Sequence, residues 1–300
     1  MTIDAHHHFW RYGRQHQAWR SHEHEVIARD FMPDDLSADL AAAGIDGSIL
    51  VQSVDTEEEN ARLLDFAAQA PFVEGVVAWV PLRDPAAART VLPGLDGHQV
   101  VRGVRCLVGR GRTDWLTRPD TTSLFREIAA RGLCWDVVPV TPEQVRDVVA
   151  VARSVPELRI VVDHLARPPV DTGSWQPWAD GVQALGAAPN VALKVSVGID
   201  VLTAWATWSN AQLVPYLRWA ATCFGPDRLL LASNWPVVLL RRGYADAWRD
   251  LTAGLLDAGL DRADIESVAG GNAIRWYGLA VRDRSVGAGR RGRMRRPSHC

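Results

Sequence analysis

Two histidines placed two residues apart follow an apolar start, in Ile3-Asp4-Ala5-His6-His7-His8-Phe9-Trp10. On a strand, residues two apart project to the same side. His6 and His8 can therefore bring two imidazoles to one metal ion or one polarised substrate atom. His7 alternates away, which suits packing or support. Further along, polar residues end other apolar runs: Gln52, Arg105, Asp136, Asp163-His164, Lys194 with Ser196, and Ser233-Asn234. A polar group inside an apolar run is costly unless it is paired or used, so this recurrence marks a site. With His164 added to His6 and His8, the set matches a three-histidine divalent metal site, or imidazoles that move protons.

Each residue also has a plainer reading. Arg105 can pair a carboxylate near the rim, or bind substrate. Lys194, the only lysine in the chain, can pair with Asp136 in the interior. Asp163 precedes His164 and, on a continuing strand, faces the other way, which favours a structural role. His16, His22 and His24 fall in a polar connection and read as solvent-facing loop residues.

Strands must deliver these groups to one place. Eight β-rich runs recur, roughly Ile3–His8, Gly47–Gln52, Val73–Val80, Val100–Leu107, Leu133–Val138, Leu158–His164, Val191–Val197 and Leu229–Asn234. Their near-continuous hydrophobicity fits parallel strands buried on both faces, and helical patterns separate them. Thr56 with Glu59 and Thr141 with Gln144 read as capping boxes, and Asp84-Pro85 as a helix start. Gly44, Gly132 and Gly225 sit where helices should stop. The alternation predicts a single α/β domain, a (β/α)8 barrel over residues 1–281 with its site at the C-terminal strand ends. The connection from Arg11 to Phe31 would be a lid or binding loop. The Arg- and Gly-rich tail over 282–300 is expected to be disordered.

Composition narrows the partners. Of the 300 residues 47% are hydrophobic and 23% charged, and the net charge is −2, which gives no reason to expect nucleic acid. No apolar run reaches the ~18 residues of a membrane span. The start lacks a signal-peptide pattern. Cys106, Cys134, Cys223 and Cys300 form no Cys-x-x-Cys, as in a reduced, cytoplasmic protein. A small-molecule substrate is the expected partner, and homo-oligomer formation is left open.

In order and spacing, several segments resemble the amidohydrolase superfamily, and within it the branch acting on sugar lactones and related cyclic esters. They are Ile3–Trp10, Gly75–Val80, Arg102–Arg105, Val162-Asp163-His164-Leu165-Ala166-Arg167-Pro168, Leu193–Ser196, Ala232-Ser233-Asn234-Trp235-Pro236-Val237, and Gly270–Gly278. The resemblance implies a distorted (β/α)8 barrel in which His6, His8 and His164 surround the scissile group. One divalent ion, Zn or Mn, would be held there, or activity would be metal-independent. The superfamily's last-strand acid falls at position 234, which is Asn. An amide cannot take a proton from water, but its carbonyl oxygen can orient one. Lys194 falls on the seventh strand rather than mid-barrel, which argues against a binuclear site.

The implied reaction is water attack on a small lactone or cyclic ester. Asn234 would position the water, and a histidine or Asp136 would take its proton. Arg105, Lys194, Asp136, Gln52 and Trp10 would contact substrate, with Trp10 and Trp79 as pocket walls. The rivals are a metal-dependent decarboxylase of an aromatic acid and a non-catalytic binder on the same barrel.

Overall fold

In the computed structural model, which describes residues 1–15 and 17–280, eight parallel strands are hydrogen-bonded in chain order. They are β1 (Ile3–His7), β2 (Gly47–Val51), β3 (Val73–Trp79), β4 (Val101–Arg105), β5 (Cys134–Val137), β6 (Ile160–Val162), β7 (Val191–Val195) and β8 (Leu229–Leu231). Each expected run contains one of them, usually shortened at its ends. His16 and the tail over 282–300 lie outside the described residues. The fold is the (β/α)8 barrel that the alternation predicts.

Around it lie α1 (Pro33–Ala43), α2 (Glu58–Gln69), α3 (Pro85–Val91), α4 (Pro119–Ala130), α5 (Pro142–Ser154), α6 (Trp178–Gly186), α7 (Ile199–Ala204), α8 (Asn210–Phe224), α9 (Tyr244–Asp257), α10 (Arg262–Glu266) and α11 (Asn272–Tyr277). Asp84 caps α3 by accepting from the amides of Ala86 and Ala87. Gly44 ends α1 in the left-handed conformation at φ 68°, where a Cβ would be strained. The Thr56 box does not form. Glu59 instead accepts from the amide of Ser53 at 2.7 Å and from Gln15 at 2.9 Å, so a buried loop contact takes the side chain that would have capped α2. No helix among the described residues is long and apolar enough to cross a membrane.

The barrel interior is packed rather than hollow. Ile3, Ala5, Ile49, Val51, Val77, Cys134, Val161, Ala192, Leu230 and Ala232 fill it, and Tyr277 of α11 enters from below. Burying each Ile, Val or Leu side chain contributes about 1.5–3 kcal/mol. On β4, a Cβ at Gly103 would lie 3.2 Å from the Cys134 carbonyl oxygen and 3.5 Å from Asp136 Oδ1. Glycine there leaves room for a carboxylate inside the barrel.

The first and last strands meet at the top. The His8 amide donates to the Trp235 carbonyl at 2.8 Å, and the Asn234 amide donates to the His6 carbonyl at 2.9 Å. The seam of the barrel thus runs between the residues singled out as its chemistry.

Candidate active site

Asp4 sets that seam. Fully buried, it accepts from Ser233 Oγ at 2.6 Å, the Ser233 amide at 2.9 Å, Tyr244 Oη at 3.0 Å and the His6 amide at 3.2 Å. Burial pushes its carboxyl pKa up, and these donors oppose the shift. One carboxylate therefore fixes the start of the histidine run and the turn carrying Asn234. Its sequence signal was an acid inside an apolar strand, two residues before His6.

His6 and His8 converge as their spacing predicts, with Nε2 atoms 3.1 Å apart. His8 Nδ1 lies 2.7 Å from the Val51 carbonyl oxygen. A carbonyl only accepts, so Nδ1 carries the proton and Nε2 a lone pair. His6 Nδ1 sits 3.2 Å from Asp163 Oδ1 and 3.1 Å from Lys194 Nζ. If Lys194 donates to it, His6 Nε2–H donates to His8 and every group is satisfied. If His6 donates to Asp163 instead, two Nε2 lone pairs face each other, an arrangement that calls for a cation between them. Burial, with Lys194 beside His6 and Arg105 beside His8, holds both imidazoles well below their usual pKa, so they stay neutral.

Beneath them lies a dry ion cluster. Lys194 Nζ is 2.6 Å from Asp136 Oδ2 and 2.9 Å from Asp163 Oδ1, and all three side chains are 0% exposed. Arg105 Nη1 donates to Asp163 Oδ2 at 2.9 Å, while its Nε and Nη2 donate to Gln52 Oε1 and Nη2 also donates to the Gln52 carbonyl. Burial alone would raise Asp163. Lys194, His6 and Arg105 outweigh it and hold the carboxyl well below the usual range. In Asp136 burial wins and the pKa is raised. Tyr277 Oη donates to Asp136 Oδ2 at 2.6 Å, tying the lower plug to the cluster.

His164 stands on an unusual turn. His164, Leu165, Ala166 and Arg167 all have positive φ, at 57°, 51°, 51° and 60°, a conformation costing about 1–2 kcal/mol per L-residue. The Arg167 amide donates to the His164 carbonyl at 2.8 Å, and Trp178 Nε1 donates to the Leu165 carbonyl at 2.8 Å, which hold it. His164 Nδ1 meets Ser196 Oγ at 2.8 Å, so its Nε2 is the free ring nitrogen. Burial lowers its pKa to about 3. This turn corrects the expectation that Asp163 faces away from the side taken by His164. Asp163 is still extended and, two residues on from the interior Val161, faces inward, while the left-handed swing that starts at His164 brings that imidazole into the site as well.

Asn234 Nδ2 donates to the Val197 carbonyl at 2.8 Å, which assigns its amide and leaves Oδ1 for the pocket. That pocket, of about 190 Å³, is lined by His8, His164, Arg105 and Asn234 with Trp19, Arg167, Asp200 and an apolar wall including Val138, Val140, Ile199 and Val237. Gln52, Asp136 and Lys194 lie below its floor, fully buried, and do not line it. The substrate contact expected of them gives way to a supporting place, because Gln52 is spent on Arg105, Lys194 on Asp136 and Asp163, and Asp136 on Lys194 and Tyr277. Trp10 is packed behind Trp19 and against Phe31, and Trp79 is likewise outside the pocket, so Trp19 is the tryptophan of the wall. Trp19 Nε1 donates to the Ser53 carbonyl at 3.0 Å. His24 is not solvent-facing. It is buried, 2.8 Å from Thr203 Oγ1, and pins the loop to α7. His22 is exposed.

The donor set fits a divalent ion. Ligand atoms of His6, Asp163 and His164 lie within 4.8 Å of one another, and His8 Nε2 lies 3.1 Å from His6 Nε2. Imidazole with carboxylate suits Zn or Mn. Asp163 joins the three histidines expected from the sequence.

A family model described as amidohydrolase matches residues 3–279. The chain is 34% identical to an L-fucono-1,5-lactonase of Burkholderia ambifaria, covering 92% of this chain and 95% of that one. It is 30% identical to an L-fucono-1,5-lactonase of Burkholderia multivorans, over 93% and 96%. An amidohydrolase from Burkholderia multivorans, crystallised with bound zinc, superposes with a TM-score of 0.82 at 29% identity, over 93% of this chain and 100% of that one.

Proposed function

The chain belongs to the amidohydrolase family, and from that premise we propose that its pocket opens a small sugar-acid lactone by water attack on the ring carbonyl. The observation that carries this reading is the cluster of His6, His8 and His164, of which His8 and His164 line one pocket with Asn234. A chain 34% identical, an L-fucono-1,5-lactonase, supports a lactone as the substrate class.

His6, His8, His164 and Asp163 would hold a divalent ion. When bound it supplies a Lewis acid that lowers the pKa of water towards ~7 and polarises a carbonyl. The remaining work falls to the chain's own groups. Asn234 Oδ1 accepts a hydrogen bond from the water and aims its oxygen at the carbonyl carbon. In the metal-independent form of the reaction, where His164 Nε2 holds no ion, it takes the proton as the C–O bond forms. At rest its low pKa makes it a poor acceptor, and negative charge growing on the carbonyl oxygen raises it during attack. Arg105, its Nη1 held by Asp163 and itself lining the pocket, faces that charge. The tetrahedral species then breaks its ring C–O bond, His164 returns the proton to the leaving alkoxide, and a hydroxy-carboxylate departs. An ester is activated relative to an amide, so a site with an amide at position 234 and weak bases is matched to it.

A cytoplasmic setting belongs to the same reading and is supported by the free thiols of Cys106, Cys134 and Cys223. The test is proton release from five- and six-membered aldonolactones, in chelator-treated and zinc-supplemented arms. Turnover in either arm is the expected result. Silence in both, or carbon dioxide release from a hydroxybenzoate, overturns the proposal.

A further inference from the structure

The mouth of the pocket carries a second ion pair that the catalytic groups do not use. Arg167, the last residue of the left-handed turn, pairs with Asp200 of α7, and Arg110 Nη2 approaches the same carboxylate at 3.7 Å. The side chains of Arg167 and Asp200 are 14% and 43% exposed. Both line the pocket beside His164 and Asn234. Their placement relative to His164 is fixed twice. Arg167 is bound to it through the turn, and Gly198, two residues before Asp200, packs so closely that a Cβ there would lie 3.4 Å from His164 Cβ.

What such a pair recognises follows from its donors and acceptors. A guanidinium only donates and a carboxylate only accepts. Side by side they offer both, which matches a hydroxyl or a neighbouring pair of hydroxyls, each able to give and receive. A substrate carboxylate only accepts, so it would gain from Arg167 while facing Asp200 at close range. The apolar side of the mouth, Val138, Val140 and Ile199, offers it no side-chain donor.

We infer that the Arg167–Asp200 pair is the specificity element of this site: it reads the hydroxyls of a neutral lactone, and Asp200 rejects lactones that bear a carboxylate. This rests on the lactonase reading above and narrows its substrate class. It also assigns Arg110 and Arg167 a latent preference. Without Asp200 the mouth presents two cations near Arg105, and a carboxylate becomes the better ligand.

The experiment compares a neutral deoxy-aldono-1,5-lactone with a lactone of the same ring size bearing a carboxylate, in the wild-type enzyme, Asp200→Asn and Arg167→Gln. Calorimetric binding of the two corresponding lactams runs in parallel. For Asp200→Asn the neutral-over-carboxylate ratio should fall about tenfold or more, in kcat/KM and in association constant alike, since like-charge juxtaposition at a binding site suppresses the wrong partner. Arg167→Gln should raise KM for the neutral lactone with kcat little changed, the mark of a contact equal in ground and transition states. An unchanged ratio in Asp200→Asn overturns the inference, whatever the absolute rates. If no lactone is turned over while the lactam ratio still shifts, the catalytic reading fails and the recognition element stands.

Discussion

Two ion clusters meet the same pocket, and water divides them. On the floor, Lys194, Asp136 and Asp163 are 0% exposed and Arg105 is 4% exposed at the side chain, while at the mouth Arg167 and Asp200 show 14% and 43%. The chemistry is the same, carboxylates against guanidinium or ammonium, but the energetics are not. A buried pair offsets a large desolvation cost only while both partners stay. A pair in contact with water contributes little to stability and is free to exchange a partner for a ligand. The floor is suited to hold geometry, and the mouth to choose what enters.

Removing a floor partner gives the largest effect. Lys194→Met leaves Asp136 without a cation beside Asp163, which keeps Arg105, and should cost about 3–5 kcal/mol, seen as a lowered denaturation midpoint. Adding Asp136→Asn to that variant should recover part of the loss, because the stranded charge is gone. A fall within about 1 kcal/mol for Lys194→Met alone would erase the distinction between floor and mouth.

Acid provides an intermediate test. His7 and His164 are held near pKa 3 by burial, against an ordinary 6.5. In the unfolded chain each takes up a proton below about pH 6.5, while in the folded chain each stays neutral until about pH 3. Their contribution to stability is therefore complete above pH 6.5 and is lost as pH falls towards 3, by about 1.4 kcal/mol per pH unit for each histidine. Melting curves from pH 8 to 5 should show this slope. His7→Asn should remove one proton from it, since His7 lies behind the barrel wall against Ser48 Oγ at 2.9 Å.

The mouth should give the smallest change. Asp200→Asn is expected to leave the melting midpoint within about 1 kcal/mol of wild type, even as it alters which lactone is preferred. A large loss of stability there would make the pair structural.

The strands were legible because parallel strands buried on both faces must be written as apolar runs, and their polar ends stood out against them. Lys194 with Asp136 and His6 with His8 could be read off for that reason. That Asp163 and His164 both face the site could not, because His164 stands on four left-handed residues that no periodicity announces. Trp19, Arg167, Asp200 and Tyr277 were missed for a related reason. They come from loops, a short helix and a terminal plug, where spacing carries no information about direction. Thr56 and His24 failed for another: tertiary contacts from Gln15, Ser53 and Thr203 claimed side chains whose local sequence pointed elsewhere.

The barrel seam has a consequence for how the protein is made. Asp4 and Ser233, whose contact aligns His6 with Asn234, are 229 residues apart in the chain. At a ribosomal pace of ~5–20 residues per second, some tens of seconds separate their synthesis. Throughout that interval the first strand presents an unpaired edge, which is a template for wrong partners, and the histidine run beside it lacks the turn that completes it. The residues of the pocket that are synthesised first are among the last to find their place.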